Sequence, residues 1–113
     1  MIDTSKYYNR IEELSNFKDK IYPRYETIYL NDSQFNAQVV NGEFKCSEEI
    51  QNTVRNIAEY IDTSLIYAKK AKESVDTKYE AINLRYYIMS LEKLNDNILK
   101  ALDLYEKCQL ESE

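Results

Sequence analysis

The chain offers little material for chemistry, and most of it is carboxylate. Glu12 and Glu13 form one acidic pair, and Glu59 and Asp62 form a second, each inside a stretch of helical character. There are 2 Cys, 1 Gly and 0 His. Without histidine there is no Ser-His-Asp or Cys-His nucleophile pair and no imidazole metal site. A single glycine cannot build a GxxxxGK[ST] or GxGxxG phosphate loop. Two cysteines supply only half of a zinc site. The residues therefore point to a protein that is not an enzyme, with no cofactor, no metal and no small-molecule substrate.

One arrangement could still carry a reaction. Acid pairs on adjacent helices resemble the magnesium-holding EExxE and ExxD pairs of all-helical nucleotide pyrophosphatases of the MazG type. The likeness rests on Glu12, Glu13, Glu59 and Asp62, and it implies magnesium-dependent nucleotide hydrolysis. Asn16 and Phe17 stand where a further acid would be sought. Charged residues at helical spacing otherwise form a solvated face.

The elements that would position these residues can be read from periodicity. Across residues 4–30, Tyr7, Ile11, Leu14, Ile21, Tyr25 and Ile28 recur at four- and three-residue steps with Lys18 in the gap, a helical stripe with coiled-coil spacing. Asp3, Thr4 or Ser5 can cap it, and Pro23 predicts a kink. A second helix over 47–75 opens at Ser47, with Glu48 and Glu49 suiting its positive end. It carries Ile50, Val54, Ile57, Ile61, Ala68, Ala71 and Val75 on one face. A third helix over 77–110 follows a capping box of Thr77 and Glu80, with Leu84, Ile88, Leu91, Ile98, Leu102 and Tyr105 inward. One continuous helix from 47 to 110 is the alternative.

Between the first two helices, "QFNAQVVNGEFKC" (34–46) alternates apolar and polar residues about Asn41-Gly42. A type I′ turn there pairs Val39 with Phe44 and Ala37 with Cys46, gathering Phe35, Ala37, Val39, Phe44 and Cys46 on one face. The expected fold is mainly α: one domain over 1–113, a three-helix antiparallel bundle with a short β-hairpin (35–46) inserted between helices one and two. Gly42 is then structural, the turn residue.

Antiparallel pairing of the last two helices brings Cys46 and Cys108 to the same end. They bridge in an oxidising compartment, or serve as small buried packers in a reducing one.

Composition narrows the partner. The net charge of −5 and the lack of a basic stripe disfavour nucleic acid. No apolar run reaches membrane-spanning length and the N-terminus has no signal-peptide pattern, so a cytoplasmic protein away from membranes is expected. The 11 Tyr exceed what such a core can bury. Tyr8, Tyr22 and Tyr29 lie one position round from the first stripe, Tyr60 and Tyr67 flank the second, and Tyr86 belongs to the crowded "LRYYIMSL" (84–91). Tyr is favoured at interfaces, where a ring is half-buried and its hydroxyl stays wet. These six residues outline a face for another protein or a second copy of the chain, as in a small acidic adaptor or inhibitor from a bacterium or phage. A second reading places "VNG" (40–42) at the turn between long helices, which resembles the WXG100 family of secreted helical hairpins and implies a partner in type VII secretion. The chain lacks that family's Trp.

Overall fold

The computed structural model describes residues 3–112, with side chains to Cys108. It contains four helices: α1 (Ser5–Tyr29), α2 (Ser33–Val40), α3 (Ser47–Glu73) and α4 (Glu80–Ser112). The mainly α expectation holds. The β-hairpin and the three-helix count do not: no strand occurs among the described residues, and a short helix occupies the expected hairpin.

Local bonding explains the correction. The Asp32 side chain accepts from the Phe35 N–H at 3.0 Å and caps α2 at its start. Phe35 and Val39, one helical turn apart, are both buried, whereas Ala37, assigned to the same hairpin face, is exposed. At the other end Gly42 has φ +73°, its N–H bonds the Val39 carbonyl at 3.0 Å, and the Glu43 N–H bonds the Gln38 carbonyl at 3.0 Å. That pair of bonds is a Schellman motif closing a helix. A hairpin turn of type I′ needs positive φ at both central residues, but Asn41 sits at −78°. The glycine is needed for its conformation in either motif, and the helix wins because a lone two-stranded hairpin is marginal in water.

The long helices follow their stripes. In α1, Leu14, Tyr25, Ile28 and Tyr29 are buried, with Ile11, Ile21 and Tyr22 packed alongside. Of the three cap candidates Asp3 acts, accepting from the Ser5 N–H at 2.9 Å. Pro23 lies inside α1, and the helix continues through it to Tyr29. In α3, Ile50, Ile57 and Ala71 are buried, together with Thr53 and Ser64, whose hydroxyls donate to the Glu49 and Ile61 carbonyls. Ser47 is the first helical residue rather than the cap, and its Oγ accepts from the Phe44 N–H. In α4, Leu84, Leu91, Leu94, Ile98, Ala101, Leu104 and Cys108 form the buried face.

α3 and α4 are separate helices, so the continuous alternative falls. The break is built from Asp76 at φ +66° and a Thr77 N–H bond to the Ser74 carbonyl at 2.9 Å. Thr77 Oγ1 donates to the Ser74 carbonyl and accepts from the Tyr79 N–H at 3.2 Å, so Thr77 caps the start of α4. The Glu80 carboxylate accepts from Tyr8 while the Thr77 N–H bonds Ser74, and the expected capping box is only half formed. α4 runs back along α3, and α1 lies on the same α4. Contacts from Tyr8 to Glu80, Arg10 to Glu92 and Arg24 to Glu106 show that α1 and α4 point the same way.

An aromatic cluster closes the α2 end. Tyr22, Tyr25, Tyr29, Phe35, Phe44 and Tyr105 pack with successive ring centroids 5.0–5.7 Å apart. The Tyr29 hydroxyl donates to the Ala101 carbonyl at 2.6 Å inside it. Next to the cluster, Cys46 and Cys108 form a disulfide with a Cα–Cα distance of 6.4 Å, fastening the α2–α3 turn to the end of α4.

Candidate interaction surface

The six tyrosines chosen from sequence separate into three groups. Tyr29 is buried and Tyr22 half-buried in the aromatic cluster. Both serve the core there, so they do not join an outer face. Tyr8 stands on α1, where its hydroxyl donates to a Glu80 carboxylate oxygen at 2.6 Å. That hydrogen bond, with some burial, pushes the phenol up to about 12. Tyr60, Tyr67 and Tyr86 come together on the opposite side of α4.

The seam between α3 and α4 organises this third group. Tyr67 and Tyr86 stack with centroids 5.1 Å and planes 27° apart. One heptad along, Lys93 Nζ lies 5.8 Å from the Tyr60 ring centre. A further heptad along, Lys100 Nζ meets Glu49 at 3.3 Å. Positions 86, 93 and 100 therefore form one row of α4, seven residues apart, facing α3. The α4 positions that touch α1 (Glu80, Glu92, Asn95 and Glu106) lie on a different side of the same helix. One groove of the α3–α4 pair thus holds α1, and the other is open.

The open side extends outward along α4. Tyr79, Ile82, Tyr86 and Met89 are 57%, 45%, 43% and 49% exposed. Their spacing of three, four and three residues puts them in one row about 15 Å long. Tyr79 precedes the first full helical residue, yet its carbonyl already accepts from the Asn83 N–H at 3.1 Å. Exposed apolar residues elsewhere include the single residues Phe17, Leu30, Val40 and Leu99 and the adjacent Leu65 and Ile66 of α3. Tyr79, Ile82, Tyr86 and Met89 instead fall in a single row on one helix. Sequence reading found Tyr86 and missed Tyr79, Ile82 and Met89. The available signal was their i, i+3, i+7, i+10 spacing outside the buried stripe, obscured by a run in which nearly every residue is apolar.

Other concavities offer less. A crevice of about 240 Å³ among Tyr8, Ile11, Ala68, Ala71, Leu84 and Tyr87 is apolar, but smaller than ordinary ligand pockets. A larger opening of about 660 Å³ beside Cys46 is lined by Lys100, Lys107, Glu49 and Asp103. Two of its lysines, Lys100 and Lys107, are paired with Glu49 and Asp103 at 3.3 Å in each case, and Lys45 also lines it.

The acids of the pyrophosphatase resemblance are all exposed: Glu12 and Glu13 on α1, Glu59 and Asp62 on α3. Among the described residues no group of three or more metal-ligating side chains gathers. "VNG" ends α2 and does not join two long helices, and the long helical hairpin turns instead at residues 74–79. No described helix is long and apolar enough to cross a membrane. Compared with known proteins, the chain matches no family model, no curated protein and no solved structure.

Proposed function

We propose that this protein is a small binding module, an adaptor or inhibitor without catalytic activity of its own, that engages another protein through the outer face of α3 and α4. The observation that carries the reading is the exposed row Tyr79–Ile82–Tyr86–Met89 beside the stacked Tyr67. Rigid helices fix these anchors before binding, so little side-chain entropy is lost when a partner covers them. The residues at its centre are the types that dominate interface energetics. The Cys46–Cys108 disulfide favours work in an oxidising compartment over the cytoplasm expected from sequence.

The test is site-specific crosslinking in the native host. A photoreactive side chain at position 82 should trap a discrete partner, whereas one at the exposed Asn9 of α1 should not. Tyr86→Ala should then reduce recovery of the same complex by roughly tenfold or more, the scale of an interface anchor. Equal trapping at both positions, or recovery unaffected by Tyr86→Ala, contradicts the proposal.

A further inference from the structure

Three lysines around this face lie over tyrosine rings, as Lys6 does over Tyr7 on α1 at 5.4 Å. Lys70 Nζ lies 5.2 Å from the Tyr67 ring centre, Lys78 Nζ 5.1 Å from that of Tyr79, and Lys93 Nζ 5.8 Å from that of Tyr60. Arg10, Lys18, Arg24, Lys69, Lys100 and Lys107 have acids within 4.0 Å, and away from this face Lys6, Lys20, Lys45 and Arg55 have none among the described residues. Among the described residues Lys70, Lys78, Lys93 and Arg85 have no such acid. Over residues 66–93 basic side chains outnumber acidic ones, inside a chain whose net charge is −5. The apolar row therefore sits in a local positive field, on rings that keep lysines in place without neutralising them.

We infer that the occupant of this face is an acidic amphipathic helix of a partner protein, lying in the open α3–α4 groove on the side away from α1. This rests on the proposed binding role and adds the partner's chemistry. The groove's shape argues for a helix. Its α4 wall repeats at heptad spacing through Tyr86, Lys93 and Lys100, which meet Tyr67, Tyr60 and Glu49 of α3, and a docked helix matches that periodicity with residues at i, i+3 and i+7. The charge argues for acid. Carboxylates on the flanks of that helix would meet Lys70, Lys78 and Lys93, each of which lacks a counter-ion of its own. A second copy of this chain docking face to face would instead bring those lysines against their equivalents, a like-charge penalty that disfavours a symmetric dimer. An anionic membrane is disfavoured by the chain's overall negative charge.

Two synthetic helical peptides of about 20 residues test this. Both carry the same leucine heptad stripe, and they differ only in glutamate or lysine at the flanking positions. At low ionic strength the intact, oxidised protein should bind the glutamate peptide at least about tenfold more tightly than the lysine peptide. The double variant Lys70→Glu, Lys93→Glu should reverse that order, with helicity by circular dichroism unchanged. Equal affinities, an order unmoved by the double variant, or binding of neither peptide overturns the inference. Ile82→Asp separates the two levels. If it abolishes binding while charge reversal has no effect, the face stands and the acidic partner falls. If the glutamate peptide still binds Ile82→Asp normally, the face itself is wrong. Binding to phosphatidylserine vesicles that Ile82→Asp removes, with no preference between the peptides, would assign the face to a membrane and likewise overturn the inference. So would a dimer by light scattering that Ile82→Asp dissolves.

Discussion

Tyr67 and Tyr86 stack across the outer seam of α3 and α4, although each also has access to solvent. Two half-exposed rings in contact shield each other and leave a flat, polarisable platform facing outward. Their counterparts at the other end of the molecule have the opposite fate. Tyr25 and Tyr29 also stack, with centroids 5.0 Å apart, but they are 2% and 4% exposed. The same residue type supports the core at one end and a surface at the other, and the predictions divide accordingly.

The buried tyrosines make stability sensitive to alkali. Burial, aided by neighbouring Tyr22, pushes the Tyr25 phenol up to about 12, and burial pushes Tyr29 up as well. The folded state therefore holds these protons after the unfolded chain, with tyrosine near its ordinary value of about 10, has begun to lose them. The stabilisation is complete below pH 10 and is lost as pH rises through the folded values. Tyr25 alone should cost about 2–3 kcal/mol by pH 12. Urea midpoints measured from pH 8 to 12 should fall steeply above pH 10. Tyr25→Phe should flatten that fall, and a midpoint that falls as steeply in the variant counts against the assignment.

Gly42 should tolerate little else. A Cβ there meets nothing within 4 Å, so the cost of Gly42→Ala is conformational and arises from φ +73°. About 1–2 kcal/mol is expected. Thermal unfolding should shift down by roughly 4–8 °C, and Gly42→Asn should lose less because Asn tolerates this conformation. Full stability in Gly42→Ala would mean that α2 ends in some other way.

The same glycine shows how far the sequence could be read. Helix faces were legible because Leu14, Tyr25, Ile50, Ile57, Leu91 and Ile98 repeat over many turns, and long repeats average out local accidents. Over 34–46 the window is short, and an alternating pattern coincided with a helical one at Phe35 and Val39. Gly42 fits a hairpin turn and a Schellman end equally well as a residue type. The Asp32 cap, a local signal that favours the helix, lies just before the alternating stretch. Surface assignment failed for a different reason. Tyr22 and Tyr29 lie beside the first stripe, and Tyr29 is covered by Phe35 of α2, a residue that the sequence pattern puts in a hairpin, and by α4 at Ala101. The pairing of Tyr67 with Tyr86 depends on how α3 and α4 align, which periodicity within either helix does not specify.

The disulfide should contribute stability without shaping the binding face. It closes a span of 62 residues, for which about 2–4 kcal/mol is typical. Cys46→Ser with Cys108→Ser should lower the denaturation midpoint by that amount. Peptide affinity anchored at the Tyr67–Tyr86 end of the face, some 30 Å along α3 from Cys46, should remain unchanged at temperatures where the variant is folded. A parallel loss of affinity would show that the two ends are coupled.

Asn95 is a buried polar group that fixes α1 against α4, as the Tyr29 hydroxyl does at Ala101. Its side-chain amide N–H donates to the Leu14 carbonyl at 3.1 Å, while its Oδ1 is buried without a partner. Asn95→Asp removes the donor and buries a charge facing a carbonyl, which should cost about 2–4 kcal/mol at pH 7. Burial would raise the new carboxyl, so stability should recover as pH falls toward 4 and the group protonates. A variant as stable as the parent at pH 7, or one with no recovery in acid, would rule out this placement.

The central claim is that a partner covers the outer α3–α4 face. Hydroxyl-radical footprinting of the complex isolated from the native host tests it directly, because tyrosine and methionine side chains report their own exposure. Tyr79, Tyr86 and Met89 should lose reactivity on complex formation while Tyr8 and Phe17 on α1 keep theirs. Protection of Tyr8 and Phe17, with Tyr79, Tyr86 and Met89 as reactive as in the free protein, would contradict it.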